Sequence, residues 1–197
     1  MNKTIFRRSL SIIFLSLLVL SLGGCFNFGG STTKSEDARN QTYENSEISI
    51  QIPKEWETIE KKDFTSDVPA VTLVVFRNNV KNETFTANVN IVSNPLQETV
   101  DSVEYAKLVY NRQKNGLYDF QELKREDLKI KIGGKDTATT YLVFTAKKAT
   151  DQPDVKYLQV YAVKNNLAYI VTGAVSPKEN DVTVQTIESI VKSFQLK

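Results

Sequence analysis

The chain has 197 residues, 41% hydrophobic and 24% charged, a composition that excludes low-complexity and wholly disordered chains. It has no histidine and one cysteine, which removes the usual general base, the commonest zinc ligand, Ser-His-Asp and Cys-His constellations, CxxC redox motifs and intrachain disulfides. The net charge of +2 owes three basic residues, Lys3, Arg7 and Arg8, to the segment before Cys25; without them it is −1, and no basic field for nucleic acid remains.

Residues 1–9, MNKTIFRRS, carry positive charge, and residues 10–22, LSIIFLSLLVLSL, form a 13-residue apolar run. A basic segment, a short apolar run and small residues before a cut are the parts of a secretory signal. The run is shorter than the about 20 apolar residues that a spanning helix needs. Leu22-Gly23-Gly24-Cys25 then resembles the lipobox of bacterial lipoproteins. That resemblance implies that the Cys25 thiol receives a diacylglyceryl group and that residues 1–24 are removed as a signal peptide, after which the new amine is acylated. Two or three acyl chains anchor stably, at about 0.8 kcal/mol per buried CH₂. Residues 25–45 read as a tether from the lipidated cysteine, because Gly, Ser, Thr, Asn and charged residues dominate without an apolar period. Twenty such residues give an r.m.s. span of roughly 25 Å. Phe26 and Phe28 are the apolar exceptions and suit the interfacial region of a membrane.

Residues 46–197 read as one folded domain. Ile48, Ile50 and Ile52 alternate with polar residues until Pro53. Val68 to Phe76 is rich in β-branched residues, and Phe85 to Val92 alternates Phe85, Ala87, Val89 and Ile91 with Thr86, Asn88 and Asn90. A helix is predicted from Asp101, which with Glu104 suits a capping box, through Val103, Ala106, Val109, Tyr110 and Leu117, stopping near Asn115-Gly116. Strands over Glu122 to Ile132 and Lys135 to Ala146 flank the hairpin signal Gly133-Gly134; strands over Val155 to Val163 and Leu167 to Val175 flank Lys164-Asn165-Asn166. A closing helix is predicted with Ser176 as N-cap, Pro177 in its first turn, and an apolar stripe of Val184, Ile187, Ile190, Val191 and Phe194. The order β-β-β-α-β-β-β-β-α predicts an α+β fold with a mostly antiparallel sheet.

Three segments are similar to one family. Ile48 to Trp56, ISIQIPKEW, resembles its opening strand; Phe85 to Pro95, FTANVNIVSNP, a strand with an Asn-Val pair; and Ile187 to Phe194, IESIVKSF, its terminal helix. The family is the PsbP-like group, which includes PsbP-related bacterial lipoproteins. The resemblance implies an α/β/α sandwich around a central, mostly antiparallel sheet flanked by helices. It also implies a binding or assembly factor without catalytic residues or cofactor. PsbP itself is an extrinsic subunit of photosystem II, and a eukaryotic Ran-binding protein shares the fold. Metal sites of some members use histidine, so none transfers to this chain.

The remaining candidates have bland counterparts. Glu55, Glu57 and Glu60 read as a solvated charged loop, and Asp151 and Asp154 as a turn without the EF-hand pattern for calcium. Gly133-Gly134 is no phosphate loop, since no GxxxxGK[ST] surrounds it. Trp56 reads as a core anchor, and Tyr105, Tyr110 and Tyr118 as rim packing. Asn88 and Asn90 share a strand face and are the candidate polar surface for a partner. The expected function is that of a non-catalytic, lipid-anchored envelope protein on the extracytoplasmic face of a bacterial membrane, binding or assembling a protein partner. The alternatives are an envelope solute-binding or hydrolytic protein and an extrinsic photosystem II accessory.

Overall fold

In the computed structural model, residues 39–66, 68–80 and 85–197 are described. The signal segment, Cys25 and most of the tether fall outside them. Ten strands and two helices follow in the order β1 (Asn40–Glu44), β2 (Ile48–Pro53), β3 (Glu57–Glu60), β4 (Thr72–Arg77), β5 (Asn88–Pro95), α1 (Ser102–Gly116), β6 (Tyr118–Ile132), β7 (Lys135–Lys147), β8 (Val155–Lys164), β9 (Leu167–Val175), α2 (Asp181–Lys192) and β10 (Gln195–Leu196). One sheet contains all the strands in the order β1-β2-β10-β6-β7-β8-β9-β5-β4-β3. Every pairing is antiparallel except that of β10 with β6. This is the α+β sandwich expected from the sequence.

The central strands carry near-continuous apolar runs because both sheet faces are covered. Alternate residues go to alternate cores. Val89, Ile91, Val171 and Val175 join Ile187, Ile190 and Val191 of α2 on one face. Val92, Ile170, Ala168 and Ala174 share the other with Tyr105, Ala106 and Val109 of α1. The sheet also curls around α2: Tyr43, on edge strand β1, meets Phe76 of β4 edge-on at 5.1 Å. Gly173 fixes how closely α2 approaches, since a Cβ there would stand 2.2 Å from Ile187 Cγ2 and 3.2 Å from Val191 Cγ2.

The curl has two rims, defined by strand register. At the entry rim, where the chain arrives at Arg39, Asn40 lies opposite Pro53, Glu57 opposite Arg77, Asn88 opposite Ala174 and Tyr118 opposite Lys147. At the far rim, Glu44 lies opposite Ser49, and the Gly133-Gly134 and Asn165-Asn166 turns close their hairpins. Those four turn residues have φ of 58°, 78°, 52° and 58°, the left-handed geometry that two-residue hairpins need. β10 stitches the sheet near this rim: Gln195 and Leu196 pair with Ser49 and Ile48, and Leu196 accepts from the Gly133 amide at 2.8 Å.

Several expectations are corrected. β1 lies inside the stretch read as tether; its sequence NQTYE lacks alternation because it is an edge strand with only Tyr43 turned toward the core. The charged loop over Glu57 and Glu60 is edge strand β3. The closing helix starts one turn later than Ser176-Pro177, with Asn180 Oδ1 accepting from the Thr183 amide at 2.9 Å. In α1, Asp101 caps as expected, accepting from the Glu104 amide at 2.8 Å, but the buried stripe is Ser102, Tyr105, Ala106 and Val109, and Val103 faces out.

Candidate interaction surfaces

Beneath α1 the sheet presents a polar row within an apolar face. Asn90, Thr172 and Gln159 lie opposite one another across β5, β9 and β8. Gln159 is fully buried and joins the row to the helix. Its Oε1 accepts from Tyr161 Oη at 2.7 Å and from Gln113 Nε2 of α1 at 3.0 Å, while its Nε2 donates to Thr172 Oγ1 at 3.0 Å. Asn90 Oδ1, Gln113 Oε1 and Tyr157 Oη are buried with no partner among the described residues. Burial pushes the Tyr105 and Tyr161 phenols up, and Tyr157 to about 12, so all three stay neutral at physiological pH. Amides, hydroxyls and neutral phenols position groups by hydrogen bonding.

Aromatic rings continue this face. Tyr110 meets Phe120 at 5.6 Å, Phe120 stacks on Phe144 at 4.9 Å, and Phe144 on Tyr157 at 5.0 Å. Arg125 lies 4.1 Å above the Tyr110 ring and is held by Glu122 at 3.0 and 2.8 Å. On the opposite face, Lys124, Glu126, Lys192 and Glu188 alternate in sign around the Tyr141 ring, with Lys192 2.6 Å from Glu188 and 3.3 Å from Glu126. This ring ties α2 to β6.

A shallow groove of about 270 Å³ opens between α2 and the β1–β2 edge. Arg39, Gln51 and Glu55 form one wall; Val182, Gln185 and Ser189 form the other. Neither wall was foreseen from the sequence, because the groove joins residues more than a hundred positions apart. Elsewhere on the entry rim, the β7–β8 loop holds Lys148, whose ammonium burial pushes down to about 8.

The residues singled out in the sequence do not converge. Asn88 and Asn90 are 8% and 6% exposed, which corrects the open polar surface expected of them: β5 is an interior strand between β4 and β9, and both its faces are covered. Asn88 Nδ2 donates to the Thr86 carbonyl at 3.0 Å instead of facing a partner. Glu57 pairs with Arg77 and Glu60 with Lys62. Asp151 and Asp154 are exposed, and among the described residues no three His, Cys, Asp or Glu side chains are grouped to hold a metal. Trp56 is buried in the α2-side core, as expected. Tyr105 is buried against Tyr161, Tyr110 is half-buried, and Tyr118 is exposed. Cys25 lies outside the described residues. No described helix is long and apolar enough to cross a membrane.

No family model matches the chain, and no curated protein sequence does. Solved structures do. The solution structure of cyanobacterial PsbP (CyanoP) from Synechocystis sp. PCC 6803 superposes with a TM-score of 0.55 at 12% identity, over 85% of this chain and 98% of that one. The Saccharomyces cerevisiae Ran-binding protein Mog1p matches with a TM-score of 0.53 at 12% identity, over 80% and 95%. LpqN, described as involved in cell envelope biogenesis of Mycobacterium tuberculosis, gives 0.49 at 12% identity, over 85% and 99%. The first two likenesses define the fold: a PsbP/Mog1-like α+β sandwich with a helix on each face of a curled sheet.

Proposed function

We propose that the protein is a non-catalytic lipoprotein of the bacterial cell envelope, held by Cys25 on the extracytoplasmic face of a membrane, whose PsbP/Mog1-like domain binds or helps assemble a protein partner. The observation that carries this reading is Leu22-Gly23-Gly24-Cys25 after a basic segment and a 13-residue apolar run. A binding role draws support from the fold, since one protein that shares it is named for binding Ran. The chain contains no histidine, and the polar groups buried under α1 are amides, the hydroxyls of Thr172 and Ser102, and neutral phenols. Tethering supplies the mechanism. Confinement near the bilayer raises the domain's effective concentration for membrane-bound partners without any new contact.

Metabolic labelling with radioactive palmitate tests the anchor. The wild-type chain takes up label and sediments with membranes; Cys25→Ser does neither. Labelled bands of equal intensity in both would end the lipoprotein reading. Crosslinking in intact membranes followed by pull-down tests the partner: one protein recovered reproducibly with the wild type, and lost with Cys25→Ser, is the expected result.

A further inference from the structure

The exposed apolar side chains are unevenly placed. Six large ones stand open among the described residues: Val80, Val103, Leu108, Tyr118, Leu123 and Val182. The three most exposed, Val182 at 74%, Val80 at 73% and Tyr118 at 51%, all lie at the entry rim. Val80 follows Arg77, the rim end of β4; Tyr118 opens β6 opposite Lys147; Val182 sits in the first turn of α2, across the groove from Arg39. Leu108 and Leu123 lie within α1 and β6, and only Val103 starts α1 beside the far rim. The far rim shows Glu44, Asn45, Glu47, Asn165 and Asn166 instead.

Charge at the entry rim is mixed: Glu55, Asp151, Asp154 and Asp181 are exposed there beside Arg39 and Lys54. Glu57 is neutralised by Arg77, and Asp119 by Lys147 at 2.6 Å. Position then selects the occupant. Arg39 follows Cys25 by fourteen residues, which limits their separation to about 50 Å. The chain leaves for its anchor from the rim that carries the exposed valines and tyrosine. Isolated apolar tips with a tyrosine are side chains that partition into a headgroup layer.

We infer that the entry rim rests on the bilayer, with Val80, Tyr118 and Val182 in its headgroup region, so that the far rim points away from the membrane. This inference rests on the lipid-anchor reading, and its test separates the two. In the lipidated chain Cys25 is blocked and a second thiol is labelled alone; a parallel set in a Cys25→Ser background keeps the introduced thiol single where no lipid is attached. Val80→Cys and Val182→Cys, with Lys135→Cys on the far rim as reference, are introduced one at a time into the full chain. Each carries a fluorophore in phosphatidylethanolamine–phosphatidylglycerol vesicles containing nitroxide-bearing lipid. Quenching at 80 and 182 should exceed that at 135 by roughly three-fold or more. Val80→Glu with Val182→Glu, both at open positions, should lower the quenching of a Tyr118→Cys probe while palmitate labelling is unchanged.

Equal quenching at both rims overturns the orientation. So does a palmitate-labelled protein whose rim probes are unquenched and crosslink instead to an envelope protein. An unlabelled protein with a strongly quenched rim would remove the anchor and keep the rim assignment.

Discussion

Helix α2 lies on Gly173 with no room for a methyl group beneath Ile187, whereas α1 is joined to the sheet through Gln113, Gln159 and a run of aromatic rings. Both cover one face of the same sheet. The side chains that α2 buries within its span are Ile187, Ile190 and Val191, while α1 buries Ser102, Tyr105, Ala106 and Val109, two of them polar or phenolic and one a single methyl. The curl of the sheet encloses α2 further, with Lys192 and Glu188 locked to β6. Beneath α1, Gln113 Oε1 and Tyr157 Oη are buried without a partner among the described residues, and such orphans offset part of what the contact contributes. α2 therefore belongs to the cooperative core, and α1 is the element that opens at lower free energy.

Four measurements test that difference. Gly173→Val should have the largest effect, about 3 kcal/mol of lost stability by chemical denaturation, because the new branch meets Ile187 and Val191. Its counterpart at the end of α1, Gly116→Ala, faces open space and should shift stability by less than about 1 kcal/mol. If the two glycines cost the same, the asymmetry between the helices is wrong.

Next comes Gln159→Leu, which strands the Tyr161 hydroxyl, Gln113 and Thr172 and should cost about 2 kcal/mol. Adding Gln113→Leu should restore about 1 kcal/mol, since the second orphan is then removed. Additive losses in this cycle would mean that the amide pair does not dock α1.

Asp101→Ala and Asn180→Ala each remove one N-cap, worth about 1 kcal/mol. Native-state hydrogen exchange should separate them. The first speeds exchange within α1 alone; the second lowers protection across the whole domain.

The smallest effect is acid-dependent. Lys124 and then Lys192 hold the Glu126 carboxyl below its ordinary value of 4.5. A depressed carboxylate stabilises the fold above that ordinary value and loses its contribution as pH falls through the folded-state value. Glu126→Gln should thus be slightly less stable than wild type at pH 7 and equal to it in strong acid. A gap between the two that persists in acid would assign the effect to shape and not to charge.

Local chemistry made much of this fold readable. Gly133-Gly134 and Asn165-Asn166 announce their turns because only certain residues accept positive φ, and Asp101 announces α1 because a helix start leaves amides to be capped. The strands that escaped notice depend on partners far away. β10 has two residues and exists only because Ile48, Ser49 and Ile132 flank it. β1 and β3 are polar edge strands with no apolar period to show. Alternation correctly put Asn88 and Asn90 on one face of β5, yet nothing local tells that the second face is also covered. Gln159 and Thr172 did leave a signal, as lone polar residues in the runs YLQVYAV and LAYIVTGAV, where an apolar side chain would otherwise fill the core. The groove left none, since Arg39 and Val182 meet only in the fold.

The two residues of β10 also set a schedule. Among the described residues, the β1–β2 hairpin pairs as strands with the rest of the sheet only through Gln195 and Leu196, near the opposite end of the described sequence. A chain that emerges from its N-terminus outward makes β1 and β2 early and must leave one side of that hairpin unpaired until nearly everything else has appeared. Such long-range closure slows folding. It also keeps an emerging chain from locking before its last strand is made.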